Sequence, residues 1–132
     1  MMNIKAWQER LASFASDRDW EQFHSPKNLS SALVVEAAEL LEQFQWLTIE
    51  QSSSDELPRK TRDAVQQEVA DVAIYLLRIC DVLDIDLEEA MARKLEINAE
   101  KYPVELARGN ATKYTDRWTS LFSPPATREE EN

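Results

Sequence analysis

Apolar positions recur at spacings of three and four along most of this chain. Ile4, Trp7, Leu11 and Phe14 form the first such stripe and predict an amphipathic helix from Asn3 to about Phe23. His24-Ser25-Pro26-Lys27-Asn28 interrupts it, with Ser25 suited to an N-cap and Pro26 to the first turn of a new helix. That second helix carries Leu29, Leu33, Ala37, Leu40, Phe44 and Leu47. A polar stretch from Gln51 to Glu56, followed by Pro58, reads as a connecting loop. A long third helix is predicted from about Arg59 to Leu83 on the stripe Val65, Val69, Val72, Leu76, Ile79 and Leu83. Between Val69 and Cys80 only Asp71 and Arg78 are charged, and a helix so apolar is normally surrounded by others, in its own chain or across an oligomer interface. After Asp84-Ile85-Asp86 a fourth helix carries Leu87, Ala90, Met91, Leu95 and Ile97 to Tyr102, where Pro103 stops it. No stretch alternates apolar and polar residues over a strand's length, so the predicted class is all-α. Periodicity fades beyond Pro103. Residues 1–117 read as one domain and 118–132 as a disordered tail.

Composition narrows the chemistry. At 132 residues, 43% of them hydrophobic, the chain is long enough for one domain with a real core. Its single glycine, Gly109, leaves no glycine-rich phosphate loop and no dinucleotide-binding turn. A formal charge of −10 disfavours binding to a nucleic acid polymer, and an acidic protein that handles polyphosphates must bring a cation. One cysteine and one histidine exclude an internal disulfide and a zinc site built on Cys and His. Glu21-x-x-His24 supplies half of a ferritin-like di-iron motif, which needs two such pairs. Glu9 stands where a signal peptide would be apolar, and the run Val72 to Leu77 is far too short to span a bilayer. A soluble protein of a reducing compartment, the cytoplasm, with no membrane partner, is the expectation.

The informative residues are carboxylates. Glu36-x-x-Glu39 on the second predicted helix and Glu68-x-x-Asp71 on the third each place two acids on one side of a helix. Glu68 and Asp71 fall beside or within an apolar stripe, and Glu36 at the edge of its own. Unpaired charge there is costly, and clustering raises carboxyl pKa values. A divalent cation removes the conflict, because Mg²⁺ and Mn²⁺ favour oxygen ligands with water completing the shell. Two facing helices would then present Glu36, Glu39, Glu68 and Asp71 to one or more ions. The competing reading is a set of solvated acids, or salt bridges to Arg78, Arg93 or Lys94.

These pairs, followed by Lys94-x-x-x-Asn98-x-x-x-Tyr102-Pro103, resemble the all-α nucleoside triphosphate pyrophosphohydrolases of the MazG-like superfamily. Phe14, Asp17-x-Asp19-Trp20-Glu21-Gln22-Phe23-His24, Pro26-x-Asn28-Leu29, Phe44-Gln45-Trp46 and Lys113-Tyr114-Thr115 are similar to its dCTP pyrophosphatase subgroup. The likeness covers Leu11 to Thr115, and the Asp-Trp-Glu-Gln-Phe-His run is its most specific part. It implies a four-helix bundle completed by oligomerisation into a dimer or tetramer. It also implies Mg²⁺-dependent cleavage of a nucleoside triphosphate to monophosphate and pyrophosphate, with dCTP and 5-modified dCTP as substrates and nucleotide-pool cleansing as the role. Glu36, Glu39, Glu68 and Asp71 would be catalytic metal ligands, and one of the four, Glu39 as the first candidate, would also orient the attacking water. Trp20, Trp46 and Tyr75 would enclose the pyrimidine, and His24 and Asn28 would bond base or phosphate. Lys94, Asn98, Lys101 and Tyr102 would reach phosphate and sugar. Lys101 stands where relatives often carry arginine, and lysine cannot offer a bidentate fork. The alternatives are a pyrophosphohydrolase for another nucleotide such as dUTP, or a non-catalytic helical oligomerisation module.

Overall fold

The computed structural model describes residues 1–116, and the expected tail from 118 lies outside the described residues. The described residues contain helices and no strand, as the 3.6-residue periodicity predicts. Five α-helices follow in order: α1 Ile4–Ser16, α2 Pro26–Glu42, α3 Arg59–Val82, α4 Leu87–Lys101 and the single turn α5 Val104–Ala107. A 3₁₀ turn, Glu21–Phe23, sits between α1 and α2. None of the described helices is long and apolar enough to cross a membrane.

The helix ends follow local chemistry. Asn3 caps α1 by accepting from the Ala6 amide at 3.0 Å, and Ser25 caps α2 by accepting from the Asn28 amide at 3.1 Å, with Pro26 at the first helical position. α1 ends at Ser16, about two turns short of Phe23, where the predicted helix reached. Asp19 takes a left-handed conformation, φ 54°, and the Trp20 amide reaches back to the Ala15 carbonyl at 2.9 Å. The same device ends α3, where Asp84 has φ 53° and the Ile85 amide bonds the Cys80 carbonyl at 2.8 Å. Both are helix stops of the kind glycine usually makes, and aspartate is one of the few other residues that tolerates the geometry. α2 ends at Glu42 rather than running on to Leu47. Its apolar spacing persists through turns in which the Gln43 and Phe44 amides bond carbonyls only three residues back.

Chain contacts divide the molecule into two units, Met1–Leu87 and the remainder from Glu88. In the first, α3 is the central element, packing mainly against α2 and also against α1. Its core is small: Ala15, Leu29, Leu77 and Cys80 are buried, and Arg78 joins them at 8% exposure. Gln8 ties α1 to α3 by donating to the Leu77 carbonyl. The expectation that α3 be surrounded is met on one side only, since Val69, Ile74 and Leu76 stay more than a third exposed in the single chain, as do Val34, Val35 and Leu41 on α2. In the second unit, α4 opens on Glu88 and Glu89 and closes on Lys101, the charge order that suits a helix dipole. Tyr102 meets Tyr114 edge-on, ring centroids 6.0 Å apart, and Lys101 Nζ lies 5.1 Å from the Tyr114 ring centre.

Candidate active site

The pairing of α2 with α3 brings the two acidic motifs together. Carboxylate oxygens of Glu36, Glu39 and Glu68 lie within 4.8 Å of one another, a spacing that fits shared ligation of one cation. Asp71 is not in that set, although its charge is felt by both Glu36 and Glu68. Desolvation pushes the Glu36 carboxyl above its ordinary 4.5, and Glu39, Asp71 and Glu68 push it further. Glu68 moves the same way, through desolvation first, then the charges of Glu39, Asp71 and Glu42 and a hydrogen bond with Glu39. No lysine or arginine relieves this crowding among the described residues. Arg78 is paired with Asp81 at 2.8 Å and Arg93 with Glu89 at 2.9 Å, so neither serves the acids. Clustered oxygen ligands, Glu36 and Glu68 among them partly buried, with no counter-ion among the described residues, suit a hard divalent cation.

A cavity of about 330 Å³ lies further along the same two helices. Trp20, Phe23, His24, Asn28, Leu29, Ala32 and Tyr75 line it. On α2 the residues Asn28, Ala32, Glu36 and Glu39 follow at helical spacing, and on α3 Tyr75, Asp71 and Glu68 do the same in the opposite chain direction. One face of each helix therefore carries the cavity at one end and acids at the other. The cavity walls are largely flat and aromatic. Trp20 is held edge-on between Phe14 and His24, with centroid distances of 5.8 and 6.5 Å. Asn28 Nδ2 donates to the Phe23 carbonyl at 3.0 Å, which leaves Oδ1 as the amide's acceptor. His24 Nδ1 accepts from Arg78 Nε at 3.1 Å. Burial and then the Arg78 charge hold the imidazole below its ordinary 6.5, with Glu21 pulling the other way.

Of the residues singled out from the sequence, Trp20, His24, Asn28 and Tyr75 meet in the cavity and three of the four acids meet in the cluster. Trp46 does not line the cavity; it sits in the turns after α2 and is 87% exposed. Lys94, Asn98 and Lys101 lie along one face of α4, with Tyr102 just past its end, all in the second unit. Sequence reasoning missed Phe23, Leu29 and Ala32 as cavity walls and Arg78 as the partner of His24. Helical spacing from Asn28 to Glu36 passes through Ala32 and was the available signal for it; nothing local marks Arg78.

Comparison with known proteins agrees with this layout. The MazG-like family model matches residues 32–116, which include α3, α4 and all four acids. dCTP pyrophosphatase 1 of Mus musculus is 48% identical over 105 residues, 80% of this chain and 62% of that protein. The Homo sapiens protein of the same name is 45% identical over the same share. This chain thus spans less than two thirds of the length of these curated relatives. A crystal structure of a pyrophosphatase from Archaeoglobus fulgidus DSM 4304 superposes with a TM-score of 0.69 at 42% identity, covering 78% of this chain and 94% of that one. An all-helical chain with paired acids on facing helices, matched over most of its length by sequence and by structure, is a member of the MazG-like family.

Proposed function

We propose that this protein is a metal-dependent nucleoside triphosphate pyrophosphohydrolase acting on dCTP and its 5-substituted forms, yielding dCMP, or its 5-substituted equivalent, and pyrophosphate. The observation that carries the reading is the sharing of α2 and α3 by an aromatic cavity and an unneutralised acidic cluster. The names of the relatives support the nucleotide and the reaction.

Glu36, Glu39 and Glu68, with Asp71 beside them, would hold Mg²⁺, with Mn²⁺ as a substitute. A bound divalent ion neutralises the triphosphate and makes water a better nucleophile. Glu39, which shares the cluster with Glu36 and Glu68, would orient that water. Trp20 and Tyr75 offer the base its stacking faces, and Asn28 Oδ1 and the His24 ring offer polar contacts. Lys94, Asn98, Lys101 and Tyr102 are assigned to phosphate and sugar. Trp46, exposed in the single chain, and the bare apolar surfaces of α2 and α3 support assembly into a dimer or tetramer. Pool cleansing in the cytoplasm is the role this activity would serve.

Pyrophosphate release from a panel of canonical and modified nucleoside triphosphates, with and without Mg²⁺, tests the reading. Release concentrated on cytosine nucleotides, dependent on metal and lost in Asp71→Asn, is expected. No release from any nucleotide would leave a helical assembly module.

A further inference from the structure

Arg78 is the buried charged side chain of the described core. Its Nε–H donates to His24 Nδ1 at 3.1 Å, and its Nη1 bonds Asp81 Oδ2 at 2.8 Å. A guanidinium is a donor at every nitrogen, so the imidazole nitrogen facing it must be an acceptor and carry no proton. The proton of the neutral ring then sits on Nε2, the one ring nitrogen not taken by Arg78, on a residue that lines the cavity. Such buried charges seldom add net stability over an apolar side chain of equal volume, which directs attention to what this one orients. The burial and the Arg78 charge that lower the affinity of His24 for a second proton act in the same sense, against Glu21.

Asn28 is fixed in the complementary way. The Phe23 carbonyl takes one Nδ2–H and fixes the plane of the amide, which leaves Oδ1 as an acceptor and the second N–H beside it. The cavity therefore has one donor of fixed polarity, on His24, beside an amide whose Oδ1 can accept. Cytosine presents an amino group beside a ring acceptor, whereas uracil presents a carbonyl beside an N–H, the opposite polarity.

We propose that Arg78 is a positioning residue that locks His24 in its Nε2–H tautomer, so that the His24 donor selects the ring acceptor of cytosine over the ring N–H of uracil, with Asn28 Oδ1 accepting the cytosine amino group. The base-selecting half rests on the nucleotide reading of the site; the lock does not.

His24 is the only histidine of the chain, so a long-range proton–nitrogen spectrum of the full chain, prepared without a histidine tag, reads its tautomer directly. The wild type is expected to show a protonated Nε2 and a bare Nδ1. In Arg78→Met the tautomers should mix and the imidazole midpoint should rise toward 6.5. Its KM for dCTP should rise, and its preference for dCTP over dUTP fall, by roughly tenfold, the worth of one hydrogen bond, with kcat little changed. Arg78→Lys, which keeps a charged donor, should recover part of both. If Arg78→Met does not fold, Asp81→Asn releases the guanidinium from the surface side and should move the same readouts less far.

A protonated Nδ1 in the wild type overturns the lock. A folded Arg78→Met, or its Asp81→Asn substitute, with unchanged tautomer or unchanged dCTP preference overturns the positioning role. A wild type that hydrolyses no nucleotide overturns the reading of the site and base selection with it, while the spectrum decides the lock on its own.

Discussion

Glu39 and Glu68, one on each of two packed helices, bring carboxylate oxygens within 4.8 Å of each other, where two ionised groups repel. A carboxyl with a higher pKa folded than unfolded binds its proton more tightly in the fold. Stability from that source is present at low pH and is lost as pH climbs from the ordinary 4.5 through the raised value. Metal-free protein should thus lose thermal stability over that interval, and saturating Mg²⁺ should flatten the loss. Melting curves across the pH range, with chelator and with Mg²⁺, check this.

Glu68→Gln removes one charge from the cluster without changing its shape. The metal-free protein should melt higher than wild type at neutral pH, the Mg²⁺-dependent shift should shrink, and turnover should fall by about 100-fold or more. A mutation that stabilises the fold and destroys activity is the signature of charges kept for function; calorimetry and pyrophosphate release on the same sample show whether the two effects part in this way.

The imidazole adds an opposite slope. Because burial and Arg78 depress the His24 pKa, its contribution is intact above the unfolded value of 6.5 and is lost as pH falls through the depressed value. His24→Gln should remove this acid-side loss and leave the carboxyl-linked loss in place, as paired melting curves of the variant and wild type would reveal.

Leu29 is 1% exposed and also forms a wall of the cavity. Leu29→Ala should cost about 2–5 kcal/mol in denaturant unfolding. Ser25→Ala, which removes the α2 cap, should cost about 1 kcal/mol. Both sites flank Asn28, so KM for dCTP should rise in each variant even where the fold survives.

Tyr75→Ala leaves the acids untouched and removes a flat wall of the cavity. Stacking of a base on an aromatic ring is worth about 1–3 kcal/mol, so KM should rise roughly 5- to 150-fold for nucleotides of every base. Steady-state kinetics on dCTP and dUTP separate this general loss from the base-selective change expected of Arg78→Met.

The sequence made legible whatever depends on helical spacing. The Ser25-Pro26 start of α2, the Pro58 entry to α3 and the meeting of Glu36, Glu39 and Glu68 all follow from periodicity and capping. Helix ends were less legible, because Asp19 and Asp84 make stops that a reader expects from glycine. Arg78 read as a charge interrupting an apolar run; its bond to His24 joins positions far apart in the chain and leaves no local trace. Whether an aromatic ring lines a cavity is decided by packing, and Trp46 lies in the turns after α2, outside the cavity of the single chain.

The shared face of α2 also sets a length. Asn28 and Glu36 are eight positions apart and Asn28 and Glu39 eleven, which at 1.5 Å per residue is about 12 and 16 Å along the axis. Under the proposed function the helix would act as a ruler, with a base gauge at one end and a phosphate gauge at the other. A ligand would have to be long to engage both marks. Shortening it by two phosphates would let one grip go, so that cleavage itself would loosen the product and clear the site for the next substrate.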